Sequence, residues 1–381
     1  RLNEDAVRIR PVRGRRDLDQ FIALPYELHK RDPFWVPLLR MDVRNLLDRS
    51  KNPFFDHAEA EYFLAERDGR VVGRVAAITN RLHNEFHHDK VGFFGFFESV
   101  YDHAVADALF DAAADWLRSR GHDVMRGPAS FSTNDECGLL VAGYDTPPCI
   151  MMPHNPPYYE RLFEAARFLK AKDLIAMRGG WQAEYLPVPE RIVRGTELMK
   201  QRLGVTMRPL DLANFKAEVD LVKSLYNRCW ERNWGFIPMT DREIDHLAVQ
   251  FRPVVNPDLV PFLMKDGEAI GFALALPDLN VVFRRHRSGR LTPAVILDLL
   301  TSLKFKRIRK ARILLLGVVP EWRGRGLDAV LYHWIWTKAA EHGMYWGEGG
   351  WVLEDNHAIR QGLGKMGFTD YRTYRLYDRP L

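Results

Sequence analysis

The chain has 381 residues, of which 46% are hydrophobic and 28% charged, and its net charge is +5. This length and apolar content provide for a buried core and favour two domains over one. No run of eighteen or more apolar residues occurs, and the N-terminus lacks the apolar stretch of a secretory signal, so we predict no membrane-spanning helix and no secretion.

Only three cysteines are present: Cys137, Cys149 and Cys229. They are too few and too scattered for a disulfide framework, and their spacing is not that of metal ligands. We therefore predict a cytoplasmic protein without a metal site.

The first predicted elements are a strand near Val7–Pro11 and a β-hairpin. Two β-rich runs, Tyr62–Ala65 and Val71–Ile78, are separated by Asp68-Gly69. Asp-Gly between alternating apolar runs is a strong hairpin signal. Further on, residues 127–159 are rich in polar, Gly and Pro residues, which is compatible with a substrate-binding wall or with an ordered surface connection.

The chain repeats itself at an offset of 198 residues. Val7–Pro11 returns as Val205–Pro209, and Asp68-Gly69 returns as Asp266-Gly267. A second hairpin, Pro261–Met264 with Ala269–Leu276, surrounds the repeated Asp-Gly pair. We therefore predict two copies of one unit, at 1–180 and 190–381, joined by the polar segment Gly179–Pro189.

The second copy has two further predicted helices. Asp241–Gln250 follows Thr240, a plausible N-cap, and an extra helix from Thr292 to about Lys306 has no counterpart in the first copy. Two basic clusters lie around this extra helix, Arg284 to Arg290 and Lys304 to Arg312. Such clusters bind nucleic acid, line a solvated face or attract a phosphorylated ligand. Without an accompanying nucleic-acid-binding motif, we do not predict a nucleic-acid partner.

The segment from Ile313 onwards carries the chemistry. A strand, Ile313–Val319, enters a basic loop with two glycines, and the next element is a helix whose apolar residues recur at helical spacing. The free amides of the first helical turn and the helix dipole attract anions, and glycine permits close approach of the backbone. The pattern fits a pyrophosphate site. A tight strand-to-helix turn with two surface arginines would have the same sequence pattern. The residues of this candidate site are Arg323, Gly324, Arg325, Gly326 and Leu327.

The second copy, from this loop to its C-terminal end, resembles the GNAT superfamily of N-acetyltransferases. The matching residues are Val318-Val319-Pro320 entering Arg323-x-x-Gly326, then Asn356, then Gly367-Phe368, in the order and spacing of the family. The resemblance covers about 204–378 and extends more faintly over 6–178. It implies an α/β fold of two tandem GNAT-like lobes, each a mixed, mostly antiparallel twisted sheet flanked by helices.

The resemblance also implies an activity. Acetyl-CoA or a longer acyl-CoA would donate its acyl group to a primary amine of a small molecule or peptide, by direct attack on the thioester. Val318 and Val319 would bind the acyl carbonyl and pantetheine, the basic loop the pyrophosphate, and Asn356 the cofactor arm.

Two positions depart from the family's pattern. Asp328 stands where the loop usually ends in Gly or Ala, and a carboxylate directed at a pyrophosphate would repel it. Leu363 stands where many members carry a tyrosine general acid. Tyr377 is our candidate for that acid, with Tyr374 or water as alternatives. Glu348, on a predicted strand Met344–Leu353, is our candidate general base, unless it is a solvated strand carboxylate.

The first copy lacks the Arg-x-x-Gly loop. Its equivalent, Phe93–Asp102, brings in Glu98 and Asp102 instead, so we predict no CoA site and a degenerate, structural copy. Two other functions remain open: a non-catalytic acyl-CoA-binding or interaction protein, and a tandem-lobed transferase that uses aminoacyl-tRNA. The sequence indicates neither the acceptor amine, nor the acyl length, nor the oligomeric state.

Overall fold

A computed structural model describes residues 6–180, 186–230 and 234–381. The chain forms two compact units, and both are discontinuous in sequence. Unit 1 is formed by Arg1–Leu174, Val282–Ile296 and Arg372–Leu381, and unit 2 by Ile175–Val281 and Leu297–Tyr371. The predicted linker Gly179–Pro189 contains residues 181–185, which lie outside the described residues. The lobe limits at 180 and 190 therefore stay predictions.

Strands and helices alternate along the described residues. The strands are β1 Arg8–Pro11, β2 Ala58–Arg67, β3 Arg70–Asn80, β4 Val91–Ser99, β5 Val124–Gly127, β6 Leu139–Ala142, β7 Leu169–Gly179, β8 Val205–Arg208, β9 Phe262–Lys265, β10 Glu268–Pro277, β11 Lys310–Val318, β12 Trp346–Glu348, β13 Val352–Leu353 and β14 Thr369–Pro380. The helices are α1 Gly14–Leu28, α2 Arg40–Leu47, α3 Arg81–His87, α4 His103–Arg118, α5 Tyr158–Ala165, α6 Glu190–Leu203, α7 Phe215–Trp230, α8 Asp241–Phe251, α9 Asn280–Phe283, α10 Pro293–Lys304, α11 Leu327–Glu341 and α12 His357–Lys365.

The sheet of unit 1 has the strand order β1-β2-β3-β4-β5-β14, and β6 also pairs with β14. These pairs are antiparallel except for β4 and β5, which are parallel. Helix α4 packs on β2 and β3 and presents apolar residues to the sheet at helical spacing. Its buried residues are Val105, Ala106, Leu109, Phe110, Ala113, Ala114 and Leu117.

The sheet of unit 2 has the order β7-β12-β11-β10-β9-β8, and β13 also pairs with β7. Along this order every pair is antiparallel except β11 and β12, which are parallel. Helix α11 packs on β11 and α7 on β10. The predicted inner face of α11 is confirmed: Trp334 is half-buried, and the other apolar residues at helical spacing are buried, namely Leu327, Val330, Leu331 and Ile335. The predicted fold class is thus confirmed in each unit: a mixed, mostly antiparallel sheet flanked by helices.

Local sequence signals account for several boundaries. Both predicted hairpins form, and Asp68 and Asp266 adopt positive φ at their turns, next to glycines that do the same. Thr240 caps α8 as predicted, in a capping box with Glu243. The extra helix of the second copy is α10.

The predicted single strand Met344–Leu353 is wrong. The chain forms two short strands there, β12 and β13, which are separated by residues 349–351. The Gly349 amide donates to the Met177 carbonyl of β7 at 2.8 Å instead of continuing along β11. Glycine tolerates this change of direction because it carries no side chain that has to pack.

Candidate active site

The candidate site lies in unit 2, where the parallel strands β11 and β12 separate. The strands pair only as far as Arg312, which lies opposite Glu348. β11 continues to Val318, and its residues 313–317 are half-buried, whereas its first three residues are buried. An open wedge therefore lies beside the second half of β11.

The amides that face this open wedge follow from the pairing of β11 with β10. The Val319 amide donates to the Ile270 carbonyl at 2.9 Å. Because the amides of an antiparallel strand point alternately to its two sides, those of Leu316 and Val318 point away from β10, towards the wedge. Val318, a predicted ligand, thus directs its amide into the wedge. Val319, the other predicted ligand, uses its amide within the sheet. Leu316, whose amide also faces the wedge, was not predicted. Only the strand register, which cannot be read from the sequence, shows which of these amides face the wedge.

The loop after β11 leads into helix α11 as predicted. Gly324 and Gly326 adopt φ of +73° and +76°, and Gly326 is the N-cap of α11. No side chain of the described residues caps this helix end. The exposed Arg325 stacks its guanidinium 4.6 Å from the ring centre of Trp322. This end of α11 therefore combines uncapped amides, the positive end of the helix dipole and a cation.

The Arg323 side chain is bonded to backbone carbonyls, and its predicted contact with a pyrophosphate stays a prediction. Its Nε donates to the Val318 carbonyl at 3.0 Å, and another guanidinium nitrogen donates to the Cys229 carbonyl. The side chain thus ties the loop to the end of β11. It contributes positive charge to the site and determines the loop's position.

Asp328 lies in the first turn of α11, and Asn356 is the N-cap of α12. A Cβ atom placed on Gly362 of α12 would lie 3.3 Å from Oδ2 of Asp328, so the Asp328 carboxylate points sideways at α12. The Asn356 side chain accepts a hydrogen bond from the Ile359 amide at 3.3 Å and caps α12. Its predicted contact with a cofactor arm stays a prediction.

Glu348 lies at the closed end of the wedge and is completely buried, with 0% exposure. Its Oε2 accepts a hydrogen bond from the Tyr371 hydroxyl, and the Arg178 guanidinium lies 4.8 Å from the centre of the Tyr371 ring. Arg312, opposite Glu348, is also buried and donates from Nε to the Gly350 carbonyl at 3.1 Å. The interpretation of Glu348 as a solvated carboxylate is therefore wrong.

The other predicted catalytic residue, Tyr377, lies in unit 1. It packs against Phe163 and Phe168 with ring centres 5.3 and 6.4 Å away, and burial raises its pKa to about 12. Tyr374 is buried in the same unit and donates to the Pro153 carbonyl. The structure therefore does not bring Tyr377 and Glu348 into one unit, and the tyrosine that contacts Glu348, Tyr371, was not predicted. Position in the last strand alone does not separate these three tyrosines.

An apolar pocket lies between α11 and the paired ends of β11 and β12. Its volume is about 460 Å³, including space that is open to solvent. Ile313 and Trp346 line it from the sheet, and residues one turn apart line it from α11. The lining residues from α11 are Tyr332, Ile335, Trp336 and Ala339. Because α11 begins at the glycine loop and runs back along β11, the pocket lies beyond the wedge as seen from that loop.

The equivalent place in unit 1 is closed. β4 and β5 pair as far as Phe93 and Arg126, but the Ala129 amide then donates to the Phe94 carbonyl at 2.8 Å. At the start of α4, the Asp102 side chain accepts a hydrogen bond from the Ala104 amide. A carboxylate thus occupies the helix end where an anion would bind. These contacts support the prediction that this copy binds no CoA.

The polar segment 127–159 is bonded into unit 1. His154 Nε2 lies 3.0 Å from Asp32 Oδ2, and its Nδ1 accepts from Arg372, which also donates to the Thr146 carbonyl at 2.6 Å. Burial alone would raise the pKa of Asp32, but hydrogen bonds from His154 and the Phe34 amide lower it to about 2. Burial lowers the pKa of His154. Such hydrogen bonds are expected of an ordered connection.

The described residues contain neither a membrane-spanning helix nor a metal cluster. No helix in this part of the chain is long and apolar enough to cross a membrane. No group of three or more His, Cys, Asp or Glu side chains there is arranged to hold a metal ion.

The fold has counterparts among solved structures, although no family model matches the sequence. The tandem GNAT protein from the clavulanic acid biosynthesis pathway superimposes with a TM-score of 0.57 at 12% identity, over 98% of both chains. The chain thus has the fold of a tandem GNAT-superfamily protein.

Two curated proteins are similar over nearly their whole length. The bacterial ceramide synthase of Caulobacter vibrioides is 37% identical over 377 residues, 97% of each chain. Protein YghO of Escherichia coli is 32% identical over 377 residues, 98% of this chain and 95% of YghO. The chain belongs to the family of these two proteins.

Proposed function

We propose that this protein is an acyl-CoA-dependent N-acyltransferase that acylates the primary amine of a long-chain amino alcohol. The observation that carries the proposal is the open wedge of unit 2, with a glycine loop at one end and the buried Glu348 at the other. The choice of amine rests on the ceramide synthase relative, because forming a ceramide joins a fatty acyl group to such an amine. The predicted cytoplasmic location stays a prediction.

The donor would bind along β11. The pyrophosphate would lie at the start of α11, beside its amides and Arg325, and the pantetheine would follow the wedge. The amides of Leu316 and Val318 would donate to the thioester carbonyl, and would bind it more strongly as negative charge develops on its oxygen. The sideways position of Asp328 is compatible with an anion at this place.

Glu348 would act as the base and Tyr371 as the acid. Glu348 removes a proton from the ammonium group of the acceptor, whose pKa is ordinarily near 10. The amine nitrogen then attacks the thioester carbon, and the carbon–sulfur bond breaks. The departing thiolate takes a proton from Tyr371, which regains one from the protonated Glu348, and the second proton lost by nitrogen leaves to water. Their hydrogen bond makes this exchange direct.

The pocket supports a donor longer than acetyl-CoA. Ile313 of β11 lines it, and so do residues of α11 successively farther from the glycine loop. An acyl chain that continues in line with the pantetheine would enter it and remove apolar surface from water. A short acetyl group would leave it empty.

The test measures amide formation by mass spectrometry, from the purified chain, a long-chain amino alcohol and a series of donors from acetyl-CoA to stearoyl-CoA. We expect an N-acylated product with long donors. Glu348→Gln should lower kcat about 10²- to 10⁴-fold, as loss of a general base does. Glu354→Gln, a half-buried carboxylate on the same segment, is the matched control and should retain the rate.

Two results would overturn the proposal. The first is a folded wild-type protein that forms no amide with any donor. The second is an unchanged rate for Glu348→Gln. Binding of acyl-CoA without turnover would instead support a non-catalytic binding protein, and product formation only from aminoacyl-tRNA would support the tRNA-dependent transferase.

A further inference from the structure

A surface of unit 2 combines protruding apolar side chains with exposed cations. Leu297, Leu300 and Phe305, in and just after α10, are 63%, 62% and 59% exposed. Lys304, Lys306 and Arg307 are exposed among them. We call these six residues the α10 patch.

The geometry of α10 directs these leucines outwards. Leu297 and Leu300 are three residues apart and so share one face of the helix. Ser302 of α10 and Ile308 beyond it are 1% and 3% exposed, so other positions of the segment supply the packing. The outer leucines therefore do not serve the core. The matching interval of unit 1, between its hairpin and β4, contains the seven-residue helix α3, which is shorter than the twelve-residue α10.

The cations of the patch contact an aromatic ring and a backbone carbonyl. Lys304 Nζ and the Arg307 guanidinium each lie 5.6 Å from the ring centre of Phe305. Lys306 Nζ donates to the Glu341 carbonyl, a backbone group, at 3.1 Å. None of the acidic side chains that the structure describes forms an ion pair with these three cations. The patch therefore carries a net positive charge around its apolar centre.

We propose that the α10 patch docks on the surface of an anionic lipid bilayer. Leucine and phenylalanine side chains beside Lys and Arg are the composition of segments that lie in the membrane interface without crossing it. The apolar side chains would enter the boundary between headgroups and acyl chains, and the cations would remain at the anionic headgroups. The lysines argue against a protein partner, because Lys is depleted at protein interfaces. The leucines argue against RNA, which offers phosphates and flat bases.

This proposal does not depend on the reaction. It would, however, place unit 2 beside a supply of lipid amines if the proposed function holds. A failure to dock would leave the assay of amide formation in detergent unaffected, so the two proposals can be tested separately.

The experiment is co-flotation of the full-length chain with vesicles. We expect binding to vesicles that contain phosphatidylglycerol, and weaker binding to pure phosphatidylcholine or at high salt, because salt screens the headgroup charge. Leu297→Gln with Leu300→Gln should reduce the bound fraction about ten-fold. Lys304→Gln, Lys306→Gln and Arg307→Gln together should remove the preference for anionic vesicles.

Leu198→Gln is the matched control, because Leu198 of α6 is also exposed, at 65%, and lies outside the patch. It should float like the wild type, and circular dichroism should show that all variants are folded. Three results would overturn the proposal: a wild type that does not float, equal flotation of the double leucine variant and Leu198→Gln, or retention on RNA in preference to vesicles.

Discussion

Each unit contains a parallel pair of strands, but only the pair in unit 2 separates into an open wedge. In unit 1 the chain after β5 stays on β4, through the bond from the Ala129 amide to the Phe94 carbonyl. In unit 2 the chain after β12 leaves β11 and bonds to Met177 of β7. The direction of the chain directly after the second strand of the parallel pair therefore decides whether the pair leaves room for a ligand. In unit 2 this segment is residues 349–351.

The side chains agree with this difference. In unit 1 the ring of Phe94, the residue after the last parallel pair, lies 5.8, 5.7 and 5.1 Å from the ring centres of Phe110, Phe163 and Phe168. The equivalent residue in unit 2 is Ile313, which lines a pocket. One copy uses this place as core, and the other retains a cavity, which proteins rarely leave without a function.

The largest effect that we expect concerns the closed wedge. A Cβ atom on Gly95 would lie 1.8 Å from the Ala129 carbonyl oxygen, a backbone atom that cannot move alone. Gly95→Ala should therefore lower the free energy of unfolding by about 3 kcal/mol. In unit 2, a Cβ atom on Gly347 would meet nothing closer than 3.7 Å, so Gly347→Ala should change stability by less than about 1 kcal/mol. Urea denaturation measures both, and equal effects would contradict the comparison.

A smaller effect should follow from filling the open unit with the residue of the closed one. Ile313→Phe places the aromatic ring of unit 1 in the pocket of unit 2. We expect kcat/KM for long-chain acyl-CoA to fall roughly 10- to 100-fold, with less change for short donors, since only long chains would reach the pocket.

The measurement is kcat/KM against donor length. Leu331→Met, a volume-conserving change in the buried core outside the pocket lining, is the control and should alter neither donor. A uniform loss at all lengths would contradict our assignment of the pocket to the acyl chain.

Much of this comparison was predictable from local signals. The two Asp-Gly turns at one offset indicated a duplicated fold, and the absence of an Arg-x-x-Gly loop after β4 indicated that the copies differ. Both signals act over a few residues, in turns and helix ends, where backbone conformation depends on the residues present. The cap by Thr240 was predictable for the same reason.

What could not be predicted depends on strand neighbours. Glu348 is buried and bonded to Tyr371, a residue 23 positions further along the chain, and alternation alone does not choose among Tyr371, Tyr374 and Tyr377. The attachment of Arg323 to the Cys229 carbonyl likewise crosses about ninety residues, a separation that spacing rules do not describe.

The smallest effect concerns the histidines of the closed unit. Burial lowers the pKa of His83 to about 4, although the bond with Asn84 and the charge of Asp89 oppose this. Between pH 6.5, the usual pKa of histidine, and pH 4, the unfolded chain binds a proton at this residue that the folded chain does not. The contribution of His83 to the free energy of unfolding should therefore be fully present above pH 6.5. It should decrease as the pH falls below that value, by at most about 1.4 kcal/mol per pH unit.

Replacing His83 by Asn should flatten that slope, even if it lowers stability at neutral pH through lost packing. His103→Asn, at an exposed position in the same unit, should leave the slope unchanged. The free energy of unfolding from urea titrations at several pH values provides the comparison. If the slope is the same with and without His83, the buried histidine is not a source of the acid sensitivity of unit 1, and the remaining histidines with lowered pKa values there, His122 and His154, become the groups to replace.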